Sequence, residues 1–160
     1  MNSVIEYKHF FSLIPYINTL DFISKKKFKG IIKEDKHFGR WGVHNDPFFV
    51  QIHNDILPIA ESTFNEKLKP SYCYLSMYGS DGVLIEHQDR DPCKYTIDYC
   101  INCDKDWDII IDNKKYTSTP NNALCYSGTD LYHYRDKIKG KFMNLVFFHF
   151  VPVDYEGELR

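Results

Sequence analysis

The run Glu86-His87-Gln88-Asp89-Arg90 places an imidazole and a carboxylate two residues apart. Side chains alternate between the two faces of an extended segment, so His87 and Asp89 point the same way and can aim two ligands at one metal ion. Imidazole with carboxylate suits divalent iron, manganese or zinc. The flanks favour a strand: Val83-Leu84-Ile85 is apolar and largely β-branched, and Gly79 to Gly82 form a turn cluster. By itself a His-x-Asp pair is a common surface feature, and a metal site needs a third ligand.

A second stretch, Ala123 to Arg135, reads as strand, Ser-Gly turn, strand, and carries His133 among aromatic residues. A lone histidine in such a strand is ordinarily a hydrogen-bonded core residue. Added to His87 and Asp89, it completes a set of two histidines and one carboxylate, which leaves the opposite side of an octahedral ion open.

The order Tyr78-Gly79, His87-x-Asp89, a Tyr95-Thr96 strand, then His133 with Arg135 resembles the 2-oxoglutarate- and Fe(II)-dependent dioxygenases of the prolyl-hydroxylase-like group. Within that group, Tyr72-x-Tyr74, His87-Gln-Asp-Arg-x-x-Cys93, Tyr126-Ser-Gly128 and His133-Tyr-Arg135 are similar to a branch of small bacterial and viral proteins. The likeness covers about residues 70 to 152. It implies that His87, Asp89 and His133 hold Fe(II), that 2-oxoglutarate chelates the open side, and that one position remains for O2, with ascorbate compatible as an accessory reductant. The implied products are succinate, carbon dioxide and a hydroxylated substrate.

The distal carboxylate of 2-oxoglutarate calls for a partly buried cation, because charge-assisted hydrogen bonds are the strong ones. Many members of the group place Arg or Lys nine to ten residues after the distal histidine, and here those positions are Phe142 and Met143. Arg135 shares the strand face of His133 and ranks first as a replacement. Lys141, beside the turn at Gly140, ranks second. His149 is third, on the same face as Met143, Leu145 and Phe147, against the alternative of packing among Phe147, Phe148 and Phe150. Tyr78 is the expected hydroxyl for the same carboxylate, with Tyr99 as a second choice. Arg90 suits either a substrate contact or a salt bridge, and Cys93 is expected to pack in a turn.

The 160 residues suffice for one core, and a chain that is 43% hydrophobic and 26% charged is that of a soluble globular protein. A net charge of −2 supplies no broad phosphate-binding field, so no nucleic-acid partner is expected. The run Lys25-Lys26-Lys27 with Lys29 reads as a solvated turn. Five cysteines are an odd number, and with no stretch that reads as a signal peptide or membrane span they suggest free thiols and a cytoplasmic location. Cys100-x-x-Cys103 has metal or redox spacing but no second pair nearby.

These ligands need a scaffold, and the expected one is a single domain over 1–160 with a helical support region over 1–69 and a β core over 70–152. Pro15 should interrupt any continuous early helix. Asp46-Pro47 should start a helix with an apolar stripe of Phe49, Ile52, Ile56, Ile59 and Thr63, divided near Pro58. Arg40 to His44 reads as a loop in which Trp41 is a core plug or a lid. Seven or eight short strands follow: Tyr72–Tyr78, Val83–His87, Tyr95–Ile101, Trp107–Ile111, Ala123–Tyr126, Leu131–Tyr134 and Leu145–Val151. Asp104 to Asp108 reads as a hairpin connection and Asn113 to Lys115 as a turn. The expected class is mainly β with N-terminal helices (α+β), a double-stranded β-helix of the jelly-roll, cupin-like type.

The functional expectation is a hydroxylase acting on an amino-acid, peptide or protein side chain, prolyl included. The competing classes are a zinc- or manganese-binding cupin-like isomerase or hydrolase, a nucleic-acid-modifying oxygenase, and a non-catalytic binding module.

Overall fold

The computed structural model describes residues 3–160. Among them the strands are β1 (Ile5–Tyr7), β2 (Ile31–Asp35), β3 (Arg40–His44), β4 (Leu68–Tyr78), β5 (Leu84–His87), β6 (Tyr95–Cys103), β7 (Trp107–Ile111), β8 (Lys114–Ser118), β9 (Ala123–Ser127), β10 (His133–Arg135) and β11 (Met143–Pro152). The helices are α1 (Leu13–Lys25), α2 (Pro47–Asp55) and α3 (Leu57–Phe64). A seven-stranded sheet in the order β1-β9-β6-β11-β4-β3-β2 faces a four-stranded sheet in the order β5-β10-β7-β8. Neighbouring strands are antiparallel throughout, including the long central β11, which pairs with β4 on one side and β6 on the other. This is the expected double-stranded β-helix.

Alternation along the large sheet separates its two faces. Outward side chains such as Leu75, Ile97, Tyr99, Val146, Phe148 and Phe150 form the main core with Phe49, Ile56, Ala60 and Phe64 of the helices. Inward side chains meet the small sheet, where Leu124 and Tyr126 join Ile109 and Ile111. At one end of the interior Tyr78, Cys100, Met143 and Leu145 close around Trp107. The other end is polar and holds the candidate site.

The support region over 1–69 is not purely helical, since β1, β2 and β3 extend the large sheet on both edges. Arg40 to His44 is a strand rather than a loop, paired from Arg40↔Tyr78 to His44↔Tyr74. Val43 packs into the outer core, whereas Trp41, on the same face, is 49% exposed, so Trp41 is not a core plug. Pro15 falls in the first turn of α1, where backbone N–H groups have no intrahelical partner, and the helix runs on through it.

The helix start at Asp46-Pro47 forms as its residue types dictate. Asp46 Oδ1 accepts from the Phe48 N–H at 3.0 Å, and Oδ2 accepts from the N–H groups of Lys29 and Gly30 at 2.6 and 3.1 Å. Pro58 coincides with the division, since α3 begins at Leu57 immediately after Ile56. The buried stripe is Phe49, His53, Ile56, Ala60 and Phe64, while Ile59 is 40% exposed. These positions follow one another at three- and four-residue spacing, so the stripe keeps its helical phase across the division and passes beside Ile59 and Thr63.

Asp104 to Asp106 is a crossover between the two sheets, not a hairpin, because β6 and β7 belong to different sheets. The hairpin turn between β7 and β8 lies at Asp112 and Asn113, both with positive φ, and Lys114 and Lys115 are already in β8. All five cysteines are free thiols. Among the described residues no helix is long and apolar enough to cross a membrane.

Candidate metal centre and its cavity

His87 is the last residue of β5 and His133 the first of β10, and the antiparallel register sets them directly opposite each other. Asp89 lies just beyond β5, where its backbone N–H donates to the Gly128 carbonyl at 2.8 Å. The turn between β9 and β10 thus holds the carboxylate beside both rings. An added Cβ on Gly128 would lie 2.2 Å from Asp89 Oδ2, so only glycine admits this approach. His87 Nε2, His133 Nε2 and an Asp89 oxygen all lie within 4.8 Å of one another.

The outer ring nitrogens show how the set is wired. His87 Nδ1 donates to the Ile85 carbonyl at 2.7 Å, and His133 Nδ1 donates to the Leu131 carbonyl at 2.8 Å. A neutral imidazole has spent its proton on that bond, which aims the lone pair of Nε2 at the carboxylate. The Nε2 atoms stand 3.2 and 3.4 Å from Asp89 Oδ1. Lone pairs facing a carboxylate at that range repel unless a cation lies among them, so the donor set fits a divalent ion of the iron, manganese or zinc type.

With no cation among them, a second proton on either ring lets its Nε2 donate to Asp89, and hydrogen bonds of this kind from His133 and His87 hold the carboxyl well below the usual carboxylate range although burial alone would raise it. The same hydrogen bond to Asp89 raises His87. The three groups are graded in exposure, with the His133 side chain 3%, Asp89 16% and His87 35% exposed, so the centre opens on one side.

It opens into a cavity of about 330 Å³ whose wall includes Arg40, Tyr74, Arg90, Thr96, Phe147 and His149. A larger groove of about 980 Å³ runs past Trp41, Met77 and Phe142 and contains none of the three ligands. Chemistry therefore points to the smaller one.

Arg135 does not line the cavity. Its guanidinium is buried, donating to Asp98 Oδ2 at 3.1 Å, Ser118 Oγ at 3.0 Å and the Trp107 carbonyl at 3.3 Å, and it stacks on the Trp107 ring. Sharing a face with His133 places it inside the barrel, as expected, but a carboxylate of the protein already neutralises it. Lys141 is exposed, and its backbone N–H is tied to Asp104, outside the cavity. Met143, where the resemblance implies a cation, is fully buried among Tyr78, Trp107 and Leu145.

Tyr78 points inward, and its hydroxyl accepts from Arg40 at 2.9 Å. Tyr99 faces the outer core and donates to Asn121 at 2.7 Å, away from the site. His149 turns to the cavity rather than into a phenylalanine cluster, hydrogen-bonds Thr96 Oγ1 at 2.9 Å, and is pushed down to about 4 by burial. A neutral imidazole is a poor partner for an anion. Arg90 is exposed at the mouth and donates to Tyr72 at 3.2 Å, and among the described residues it makes no salt bridge. Cys93 packs in the turn after Asp89, with Sγ 3.1 Å from the Tyr72 hydroxyl, and burial pushes its thiol up to about 12. Cys100 is buried, and among the described residues neither it nor Cys103 joins a ligand cluster.

Arg40 and Asp98 escaped the sequence reading. Arg40 sits in a segment read as a loop, although the alternation of Trp41 and Val43 with Arg40 and Gly42 is a strand signal. Asp98 carries no local signal, because its partner Arg135 is distant in the chain.

No family model and no curated protein matches the chain by sequence. Solved structures do match in fold. The Streptomyces hygroscopicus protein HygX with nickel, 2-oxoglutarate and hygromycin B bound superposes with a TM-score of 0.73 at 11% identity, over 96% of this chain and 84% of that one. The viral collagen prolyl hydroxylase of Paramecium bursaria Chlorella virus-1, in complex with 2-oxoglutarate, gives 0.68 at 10% identity over 94% and 96% of the two chains. A prolyl-4-hydroxylase of Pseudomonas putida gives 0.66 at 10% identity over 92% of each. The chain is similar to all three in fold.

Proposed function

We propose that this chain is a 2-oxoglutarate-dependent Fe(II) oxygenase that hydroxylates an amino-acid, peptide or protein side chain. The observation that carries the reading is the pair of carbonyl-tethered imidazoles facing one ionised carboxylate at the open end of a double-stranded β-helix. Two structural neighbours are prolyl hydroxylases, and another holds hygromycin B, so small-molecule substrates belong to the same proposal.

When bound by His87, Asp89 and His133, Fe(II) with 2-oxoglutarate supplies O2 activation, coupled to decarboxylation to succinate and carbon dioxide. The chain's own residues do the rest. The Ile85 and Leu131 carbonyls fix the tautomer and the angle of the two rings. Leu84, Phe147 and Tyr126 wall the cavity and exclude water, which strengthens every charge interaction inside it. Arg90 and Tyr72 stand at the rim, where an incoming side chain must pass.

The test is anaerobic titration of the Fe(II)-loaded protein with 2-oxoglutarate, following the weak visible charge-transfer band of the chelate. The band is expected in the wild type and absent in His87→Ala. No band at saturating 2-oxoglutarate, with Fe(II) still bound, would overturn the proposal.

A further inference from the structure

We infer that Arg40, on a strand outside the expected β core, is the cation that receives the distal carboxylate of the co-substrate; the assignment rests on the function proposed above. The argument begins with availability. Two guanidinium groups, Arg40 and Arg90, line the cavity that the metal ligands open into. Arg90 is exposed at its mouth, where solvent screens a charge pair. The Arg40 side chain is only 15% exposed. Arg135 is spent on Asp98, and it is Asp98, not Arg135, that lines the cavity.

Placement agrees with availability. Arg40 pairs with Tyr78 in the β3–β4 register and Met143 pairs with Tyr78 in the β4–β11 register, so Arg40, Tyr78 and Met143 form one row across the sheet. Met143 offers no charge, and Arg40 stands two strands away, roughly 10 Å at ordinary strand spacing. An arginine side chain is long enough to return most of that distance, and this one is bent inward over Tyr74 and Tyr78.

The guanidinium is pre-organised. Nη1 donates to Tyr78 Oη at 2.9 Å and Ser76 Oγ at 3.3 Å, and Nε donates to Asp35 Oδ2 at 3.3 Å. These partners hold the plane while leaving Nη2 without a hydrogen-bond partner among the described residues. Asp35 offsets part of the charge from behind but is not a cavity residue. The free edge suits a carboxylate, while the Tyr78 hydroxyl, which lines the larger groove and not this cavity, holds the guanidinium in place.

The experiment is anaerobic calorimetry on Ni(II)-loaded protein, which binds without turnover, comparing 2-oxoglutarate with 2-oxopentanoate, where a methyl group replaces the distal carboxylate. Wild type is expected to prefer 2-oxoglutarate by roughly 30-fold or more, the scale of a charge-assisted contact. Arg40→Met should bring that preference to near unity, Arg40→Lys should restore part of it, and Arg90→Met should leave it intact. Unchanged Ni(II) affinity in Arg40→Met shows that the centre is still formed. A preference retained in Arg40→Met, or lost instead in Arg90→Met, overturns the assignment while leaving the proposed function standing. Failure of wild type to bind either acid overturns both.

Discussion

Gly128 shows how narrowly the centre is built, because the space for Asp89 exists only where a side chain is missing. Gly128→Ala should push the carboxylate off the two imidazoles and weaken Ni(II) or Fe(II) binding by about 10- to 100-fold, measured by calorimetry, with the β-sheet circular dichroism retained. The buried Asp98–Arg135 pair is the other sensitive spot at this scale. Asp98 Oδ1 and Arg135 Nε have no hydrogen-bond partner, and burial raises the Asp98 carboxyl despite the guanidinium beside it. Removing one partner strands the other charge, so Asp98→Leu or Arg135→Met should each cost about 3–5 kcal/mol in urea unfolding. The double variant should lose less than either single change, which a double-mutant cycle reads directly.

The element that depends most on one side chain is α2. Asp46 accepts three backbone N–H groups, one at the helix start and two from the segment before β2, and is itself buried. Asp46→Ala leaves all three donors unpaired and should lower stability by about 2–4 kcal/mol, seen as a lower urea midpoint with an unchanged slope. Much of this scale was legible in the chain. The Asp-Pro start, the break at Pro58 and most strands of the β core follow from capping chemistry and alternation, which are local. The strands before residue 69 were missed where the pattern is short or polar: β2, Ile-Ile-Lys-Glu-Asp, is almost wholly exposed and pairs only because β3 offers an edge. The buried stripe takes His53, Ala60 and Phe64 in place of the neighbouring Ile52, Ile59 and Thr63, because a histidine and an alanine give no strong apolar signal to mark the face that packs.

For the whole molecule, the contact between helix layer and large sheet passes through a buried histidine. His53 of α2 donates from Nε2 to the His149 carbonyl on β11 at 2.8 Å, between the rings of Phe148 and Phe150. Burial lowers this imidazole to about 3 from an ordinary 6.5. The unfolded chain then takes up a proton below pH 6.5 that the folded chain refuses until about pH 3, so stability falls as pH falls through that window. Between pH 7 and pH 5 this group should remove about 2 kcal/mol. Urea unfolding at the two pH values should show the loss in the wild type and a correspondingly smaller one in His53→Gln. An equal loss in both would place the pH sensitivity elsewhere.

Residue type and spacing put His87 and Asp89 on one segment as a candidate pair, and strand context with the resemblance to the dioxygenases singled out His133 among the other histidines. The run of short alternating strands called for two packed sheets, which an ordinary sandwich also satisfies, and the resemblance added the β-helix. Tertiary structure alone decided which cation the cavity receives. Arg135 ranks first in a one-dimensional reading and Arg40 does not enter it, since alternation states which face a side chain takes but not what it meets there. Packing the small sheet against the large one brings Asp98 of β6 against Arg135 of β10 and removes Arg135 from service, while adding β3 to the edge of β4 carries Arg40 into the cavity from a part of the chain with no visible link to the metal ligands. Charge compensation is a property of neighbours in space, and those neighbours are set by strand pairing between distant segments.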